Sequence, residues 1–417
     1  MYPLKTIGEF ATVRGGKRVP KDHDFVNSKT IHPYIRARDI RGGNINSDDL
    51  VYISSETYEK IKKYTVKYND VCVTIAGNIG DVGLIPYSLA GANLTENAIN
   101  LIHLKNCDPN YLKFCLLHPD VQEQMKLLAA GAAQPKLGIY KVQSVAIPFP
   151  SIAIQRKIAG ILSAYDDLIE NNTRRIQILE EMAQTIYREW FIHFRFPGHE
   201  NIRKVDSGTE LGMIPEGWEI VPFSHLVEIN PKLSINKDQL NPYVGMDALS
   251  TNSMCIDFEK IVMRKGNSGA KFQNTDVLFP RITPSLENGK TGYVEFLDEE
   301  QIAFGSTEFI VFREKELSSE IIYFLSREHN FRENAIKSMV GASGRQRVQL
   351  ACFDNFLMPK PPKELIDNFS ELVSKIIKNI HVYSKANSNL CITRDLLLPK
   401  LINGEIDVTY LDIVISE

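Results

Sequence analysis

Two stretches of this chain carry apolar residues in steps of mostly three and four. The first runs Ile154, Ile158, Ile161, Tyr165, Leu168, then Ile176, Leu179, Ala183, Ile186 and Trp190, with polar Asn172 in the seam. The second runs Leu365, Phe369, Leu372, Ile376, Ile380, Tyr383, Asn387, Leu390, Leu397 and Leu401. Heptad-like spacing sustained over this length predicts two long helices with coiled-coil seams. About 40 residues at ~1.5 Å each makes a rod of roughly 60 Å. Two such rods in one chain can pair antiparallel, holding a globular domain toward each end.

The residues before each long helix have another rhythm. Short apolar runs at 71–75, 98–104 and 309–312 are bounded by Gly, Asn and Asp, which is strand-and-turn chemistry. Helical periodicity returns at 111–128 and 319–339. Proline clusters, Pro148 with Pro150 and Pro359 with Pro361 and Pro362, close each stretch before its long helix. The predicted fold is therefore two mixed α/β (α+β) domains, joined by long helices that form an intramolecular antiparallel coiled coil.

The two halves echo each other at an offset of roughly 210 positions. His32-Pro33-Tyr34-Ile35 returns as Asn241-Pro242-Tyr243-Val244, and Asn69-Asp70-Val71 as Thr275-Asp276-Val277. Thr95-Glu96 returns as Thr307-Glu308, Gly131-Ala132 as Gly341-Ala342, and Ile147-Pro148-Phe149-Pro150 as Met358-Pro359-Lys360-Pro361. The common order predicts a pseudo-two-fold internal repeat. The expected domains are 1–150, a central helix at 151–205, a second domain at 206–362, and a distal helix with tail at 363–417.

Composition fits a globular protein with real cores, 43% hydrophobic and 24% charged over 417 residues. No apolar run is long enough to span a membrane, and the N-terminus lacks a signal-peptide core, so a cytoplasmic location is expected. The six cysteines form no C-x-x-C pair and have no histidine at zinc-ligand spacing, so no metal site is expected. The net charge of −3 hides a split: residues 1–150 are net +4 and residues 206–361 net −6. Any surface for a polyanion must be a local patch, above all in the second half.

The helical segments resemble a known family. Gln155-Arg156-Lys157-Ile158, the run from Ile161 to Asn172, Leu179-Glu180-Glu181-Met182-Ala183 and Arg188-Glu189-Trp190-Phe191 are similar to the central conserved region of type I restriction–modification specificity subunits. Glu210-Leu211-Gly212-Met213-Ile214-Pro215-Glu216-Gly217-Trp218 resembles the start of their second recognition domain. Arg394-Asp395-Leu396-Leu397-Leu398-Pro399-Lys400-Leu401-Ile402-Asn403-Gly404-Glu405 resembles their distal conserved region. One departure stands out: the second helix has Ile366-Asp367-Asn368-Phe369 where the first has Gln155-Arg156-Lys157-Ile158.

The resemblance implies a non-catalytic chain with two target-recognition domains, each reading half of a split double-stranded DNA target. It implies docking of two adenine-methyltransferase subunits on the helices, joined by ATP-driven restriction subunits. No cofactor is expected in this chain; S-adenosylmethionine and ATP would bind the partners. Docking is expected around Gln155, Arg156, Ile158, Tyr165, Leu168, Leu179, Trp190, Phe369, Ile376, Leu390 and Leu397.

Candidate DNA contacts follow from basic and amide side chains on loops. The loop Arg14-Gly15-Gly16-Lys17-Arg18-Val19-Pro20-Lys21 sets Arg14, Lys17, Arg18 and Lys21 on glycine hinges. Arg36 and Arg38 would share a strand face, with Arg41 nearby. Gln134 and Lys136 match Arg345, Gln346 and Arg347 in the repeat, and this loop pair is the strongest candidate. The glycine-rich turn at 77–83 matches a loop carrying Arg281 and Lys290. Arg264, Lys265 and Lys271 form a weaker basic loop. Two other readings compete. Asn241-Pro242-Tyr243 resembles the acceptor loop of an amino-methyltransferase but lacks one proline and a glycine-rich donor loop; the helices alone could serve a protein scaffold.

Overall fold

The computed structural model describes residues 2–130 and 135–412. The chain folds as two compact units. Unit 1 comprises residues 1–168 and 390–417, and unit 2 residues 169–389. The division falls inside both long helices, Ile152–Tyr187 and Lys363–Ile402, rather than at their ends. The cause is packing. Ile158, Ala159 and Leu162 share a core with Leu398, Leu401 and Ile402, while Ile176, Ala183 and Tyr187 share another with Phe369, Val373, Ile377 and Ile380.

Within each unit the helices run antiparallel. In unit 1, Asp166 accepts from Arg394 at 2.8 Å and from the buried Lys113 ammonium at 2.9 Å. In unit 2, the Arg175 guanidinium lies 5.4 Å from the Tyr383 ring centre, and Tyr187 packs edge-on to Phe369. Most of the expected seam is buried or partly buried, with two exceptions. Leu168 is 53% exposed and Leu372 43% exposed, and Leu162, Tyr187, Phe191, Val373 and Ile377 fill interior places instead. A fixed step of three or four drifts around a straight helix, so the buried face changes along its length.

The internal repeat holds at the level of sheet topology. In unit 1 the strands Thr12–Gly15, Ala98–Ile102, Val71–Thr74 and Val82–Leu84 lie side by side in that order. In unit 2 the order is Val227–Ile229, Phe309–Glu314, Val277–Pro280 and Gly292–Tyr293, the same connectivity at corresponding positions. A second sheet pairs Pro33–Ile35 parallel with Asn93–Leu94, and its counterpart pairs Asn241–Val244 parallel with Ala303–Gly305. A third pairing joins Leu4–Thr6 to Ala146–Pro148, as Glu219–Pro222 joins Leu357–Lys360.

Three expectations need correction. The helical stretch 111–128 is two helices, Pro109–Leu117 and Pro119–Ala129, because Pro119 pushes His118 out of helical geometry. The stretch 319–339 breaks at the matching place, Glu328, between Ser319–Arg327 and His329–Lys337, with no proline to announce it. The Glu328 carboxylate accepts from Arg188 at 2.8 Å, which ties the break to the central helix. The echo Thr95-Glu96 with Thr307-Glu308 is also one position out of register. Thr95 donates its N–H to Ile35 as Ser306 does to Val244, so Asn97 corresponds to Glu308.

Candidate nucleic-acid interface

In unit 1 three loops meet. The Gly16 and Lys17 amides donate to the Ala98 and Leu94 carbonyls, which ties the basic loop to the turn after Asn93–Leu94. Gly16 is no hinge: a Cβ there would lie 2.0 Å from the Thr95 carbonyl oxygen, so close approach demands glycine. Ile75 donates to the Asn97 carbonyl, bringing in the 77–83 turn, and Ala76 forms a β-bridge with Lys136. Arg18 donates through Nε to the Glu96 carboxylate at 2.5 Å, with its side chain 74% exposed. Arg14 is half-buried in its strand, and Lys17, Lys21 and Lys136 are exposed. Gln134 and the Gly131-Ala132 echo lie outside the described residues.

Unit 2 repeats the frame. Arg281 donates its N–H to the Glu308 carbonyl, and Ile282 bridges Arg347 as Ala76 bridges Lys136. The Gln346 amide donates to Thr283 Oγ1 at 3.2 Å. Arg347 donates to Glu308 through Nε and Nη2, at 2.9 and 2.6 Å. That hydrogen bond is the main reason the Glu308 carboxyl titrates below its ordinary value. Beside the same turn an open groove is lined by Asn230, Lys232, Gly269, Lys271, Thr307 and Phe309. Arg345 is exposed at the tip of its loop.

Other candidates sit elsewhere. The strand ends at Ile35, and Ala37–Asp39 is a 3-10 turn, so Arg36 and Arg38 do not share a strand face. Arg36 is held by Asp39 at 2.8 Å and Arg38 by Asp49 at 2.7 Å, which leaves Arg36 a structural cap. Arg41 is exposed on a short hairpin. Arg264 stacks on Tyr243 at 4.9 Å at the end of its strand, with exposed Lys265 next to it. Lys290 is tied to the Met246 carbonyl at 2.7 Å, and Arg281 is half-buried beside Val348.

The helix candidates divide by burial. Gln155 is fully buried and hydrogen-bonds Asp108 and Pro150, while Ile158 and Phe369 are core residues; none of the three offers surface to a partner. Arg156 and Leu168 are exposed, and Tyr165, Leu179, Trp190, Ile376, Leu390 and Leu397 are partly buried.

The sequence reading missed what holds these loops. Gln122, fourth residue of its helix, donates to the carbonyls of Gly80 at 2.8 Å and Leu116 at 2.7 Å. Arg332, fourth residue of the matching helix, donates to Thr291 Oγ1 at 2.9 Å, to the Ser326 carbonyl at 3.2 Å and to the Leu286 carbonyl. Burial, then the nearby Arg327 charge, lowers the Arg332 pKa to about 10. Both residues are polar groups on helices that face a core, a signal readable once the repeat is aligned. Glu96 and Glu308 fall outside the basic and amide side chains that mark DNA contacts in a sequence.

Among the described residues no cluster of side chains is suited to a metal ion, and no helix is long and apolar enough to cross a membrane. The Asn241 amide donates to Asn236 and Gln239 in its own turn, at 2.9 and 3.1 Å. It is a strand start, not an acceptor loop.

Residues 2–181 and 215–383 match the family described as the type I restriction modification DNA specificity domain. The chain belongs to this family. Membership gives the specificity chain a DNA-recognition role without catalysis of its own. The MjaIX type I restriction enzyme specificity subunit of Methanocaldococcus jannaschii is 24% identical over 440 residues, covering 99% of each chain. The HindI specificity subunit of Haemophilus influenzae is 22% identical over 361 residues, covering 72% of this chain and 77% of that one. The crystal structure of a type I restriction–modification S subunit from M. genitalium matches with a TM-score of 0.58 and 18% identity, over 98% of this chain and 97% of that one. That likeness concerns the fold.

Proposed function

We propose that this specificity chain reads a bipartite double-stranded DNA target in the cytoplasm, one half per recognition unit, and delivers adenine-methyltransferase subunits to it. One observation carries the reading. The same loop frame occurs twice, and the exposed side chains mounted on it differ: Lys136 stands where Arg347 stands. A duplicated frame with unlike surfaces suits two different half-words better than one continuous word. Two methyltransferase subunits would dock on exposed helix positions such as Arg156 and Leu168. Restriction subunits would join them, with S-adenosylmethionine and ATP bound by these partners.

Co-expression with its methyltransferase followed by genome-wide methylation mapping tests the proposal. The expected result is adenine methylation at one split motif, with no activity from the purified chain alone. A single uninterrupted motif would overturn it.

A further inference from the structure

We infer that Arg18 and Arg347 are the guanine-reading side chains of the two recognition units, each held in a reading pose by a neighbouring glutamate, Glu96 or Glu308. This rests on the reading that the units bind DNA, and adds which base each one demands.

The argument begins with which edge of each guanidinium is used. Arg18 faces Glu96 through Nε, and Arg347 faces Glu308 through Nε and Nη2. In both cases the side edge of the fork is occupied, and the Nη1–Nη2 end edge is left. The exposures, 74% for the Arg18 side chain and 46% for Arg347, put that edge within reach of a ligand. Two parallel N–H groups on one edge match the O6 and N7 acceptors of guanine in the major groove.

Charge then separates base from phosphate. A carboxylate 2.5–2.6 Å from the guanidinium leaves a nearly neutral pair. Such a pair attracts a phosphate weakly, and the glutamate itself repels it. The hydrogen-bonding edge is unaffected, and a neutral base edge carries no charge to be repelled. Exposed Arg345, which has no carboxylate partner among the described residues, suits phosphate instead.

Each glutamate is anchored, in a different way: Thr95 Oγ1 donates to the Glu96 carboxylate at 3.1 Å, while the main chain of Glu308 is held by its N–H, which donates to Ser306 Oγ at 3.2 Å. The two glutamates occupy adjacent positions of one corresponding turn, and their arginines arrive from different loops. Two separate routes to one arrangement argue against a chance surface ion pair, which by itself would contribute little to stability.

The test uses the full chain with its methyltransferase on a DNA library randomised across the target. Wild type should require a G·C pair at one position or more in each half. Arg347→Lys and Glu308→Gln should each relax that requirement in one half by roughly 10- to 100-fold and leave the other half intact as an internal control. Arg18→Lys and Glu96→Gln should relax only the other half. An unchanged motif in all four variants, or a loss of methylation equal across all sequences, would overturn the inference while the bipartite reading stands. A wild-type motif that is not bipartite would overturn that reading and the inference with it.

Discussion

The side-chain amide of Asn172 donates to the side-chain carbonyl of Asn387 at 3.0 Å, between the two long helices. Asn387 in turn donates to the Ile169 carbonyl at 3.2 Å and to Thr173 Oγ1 at 3.1 Å. Both asparagines interrupt an otherwise apolar seam. A partly buried polar pair of this kind gives up some stability and fixes register, because any slip leaves amides unpaired. Asn387→Ala should lower stability by about 1 kcal/mol, since the Asn172 amide loses its acceptor. Leucine at both positions should match or exceed the wild-type melting temperature while broadening the helical register. Calorimetry and amide hydrogen exchange on residues 169–175 read the two effects separately.

Arg332 supplies a comparison between the halves. Arg332→Ala removes the guanidinium's hydrogen bonds to Thr291, Ser326 and Leu286 and opens a hole in a packed core, leaving the Leu286 carbonyl, among the described residues, with only the Gly289 N–H. A loss of about 3 kcal/mol is expected. Arg332→Gln should recover part of it, because Gln122 performs the matching task in unit 1. Denaturant titration of the three proteins checks the order wild type, Gln, Ala.

Gly16→Ala places a methyl group against the Thr95 carbonyl, where a Cβ would stand at 2.0 Å. Backbone must move to admit it, at a cost of about 1–3 kcal/mol. The expected outcome is faster proteolysis within residues 12–18 and weakened reading of one half-site, with the other unchanged.

Burial, with a further push from Glu320 against the pull of Lys378, raises the Glu295 carboxyl from 4.5 to about 7. Below pH 4.5 the group is neutral whether folded or unfolded. As pH rises toward 7 the unfolded chain ionises first, so stability is lost across that window and stays lost above it. Glu295→Gln should therefore stabilise the protein at pH 8 and change little at pH 4. Glu295 is partly open to solvent, which holds the gain to roughly 1–2 kcal/mol. Thermal melts at the two pH values decide.

Much of the architecture was legible because it rests on period and repetition. The two helices, the doubled domain and polar Asn172 in the seam all follow from spacing alone. The errors have local causes. The alternation that suggests a strand face for Arg36 and Arg38 continues past Ile35, where the strand itself ends and a 3-10 turn begins. The break at Glu328 has no proline and is held by Arg188, a contact 140 positions away in sequence. Glu96 and Glu308 were invisible for a different reason: an arginine's task depends on what lies beside it, and Arg18 finds its carboxylate 78 positions away.

The bridges Ala76 with Lys136 and Ile282 with Arg347 are ties between main-chain atoms. Main-chain ties are indifferent to the side chains they carry. A mutation at Lys136 or Arg347 can therefore change the surface that the loop presents without loosening the main-chain tie beneath. For a lineage under pressure to acquire a new DNA word, this separates invention from risk. Loop exchange between diverged copies would yield foldable offspring, and altered specificity could spread by recombination faster than by the slow repair of a damaged core.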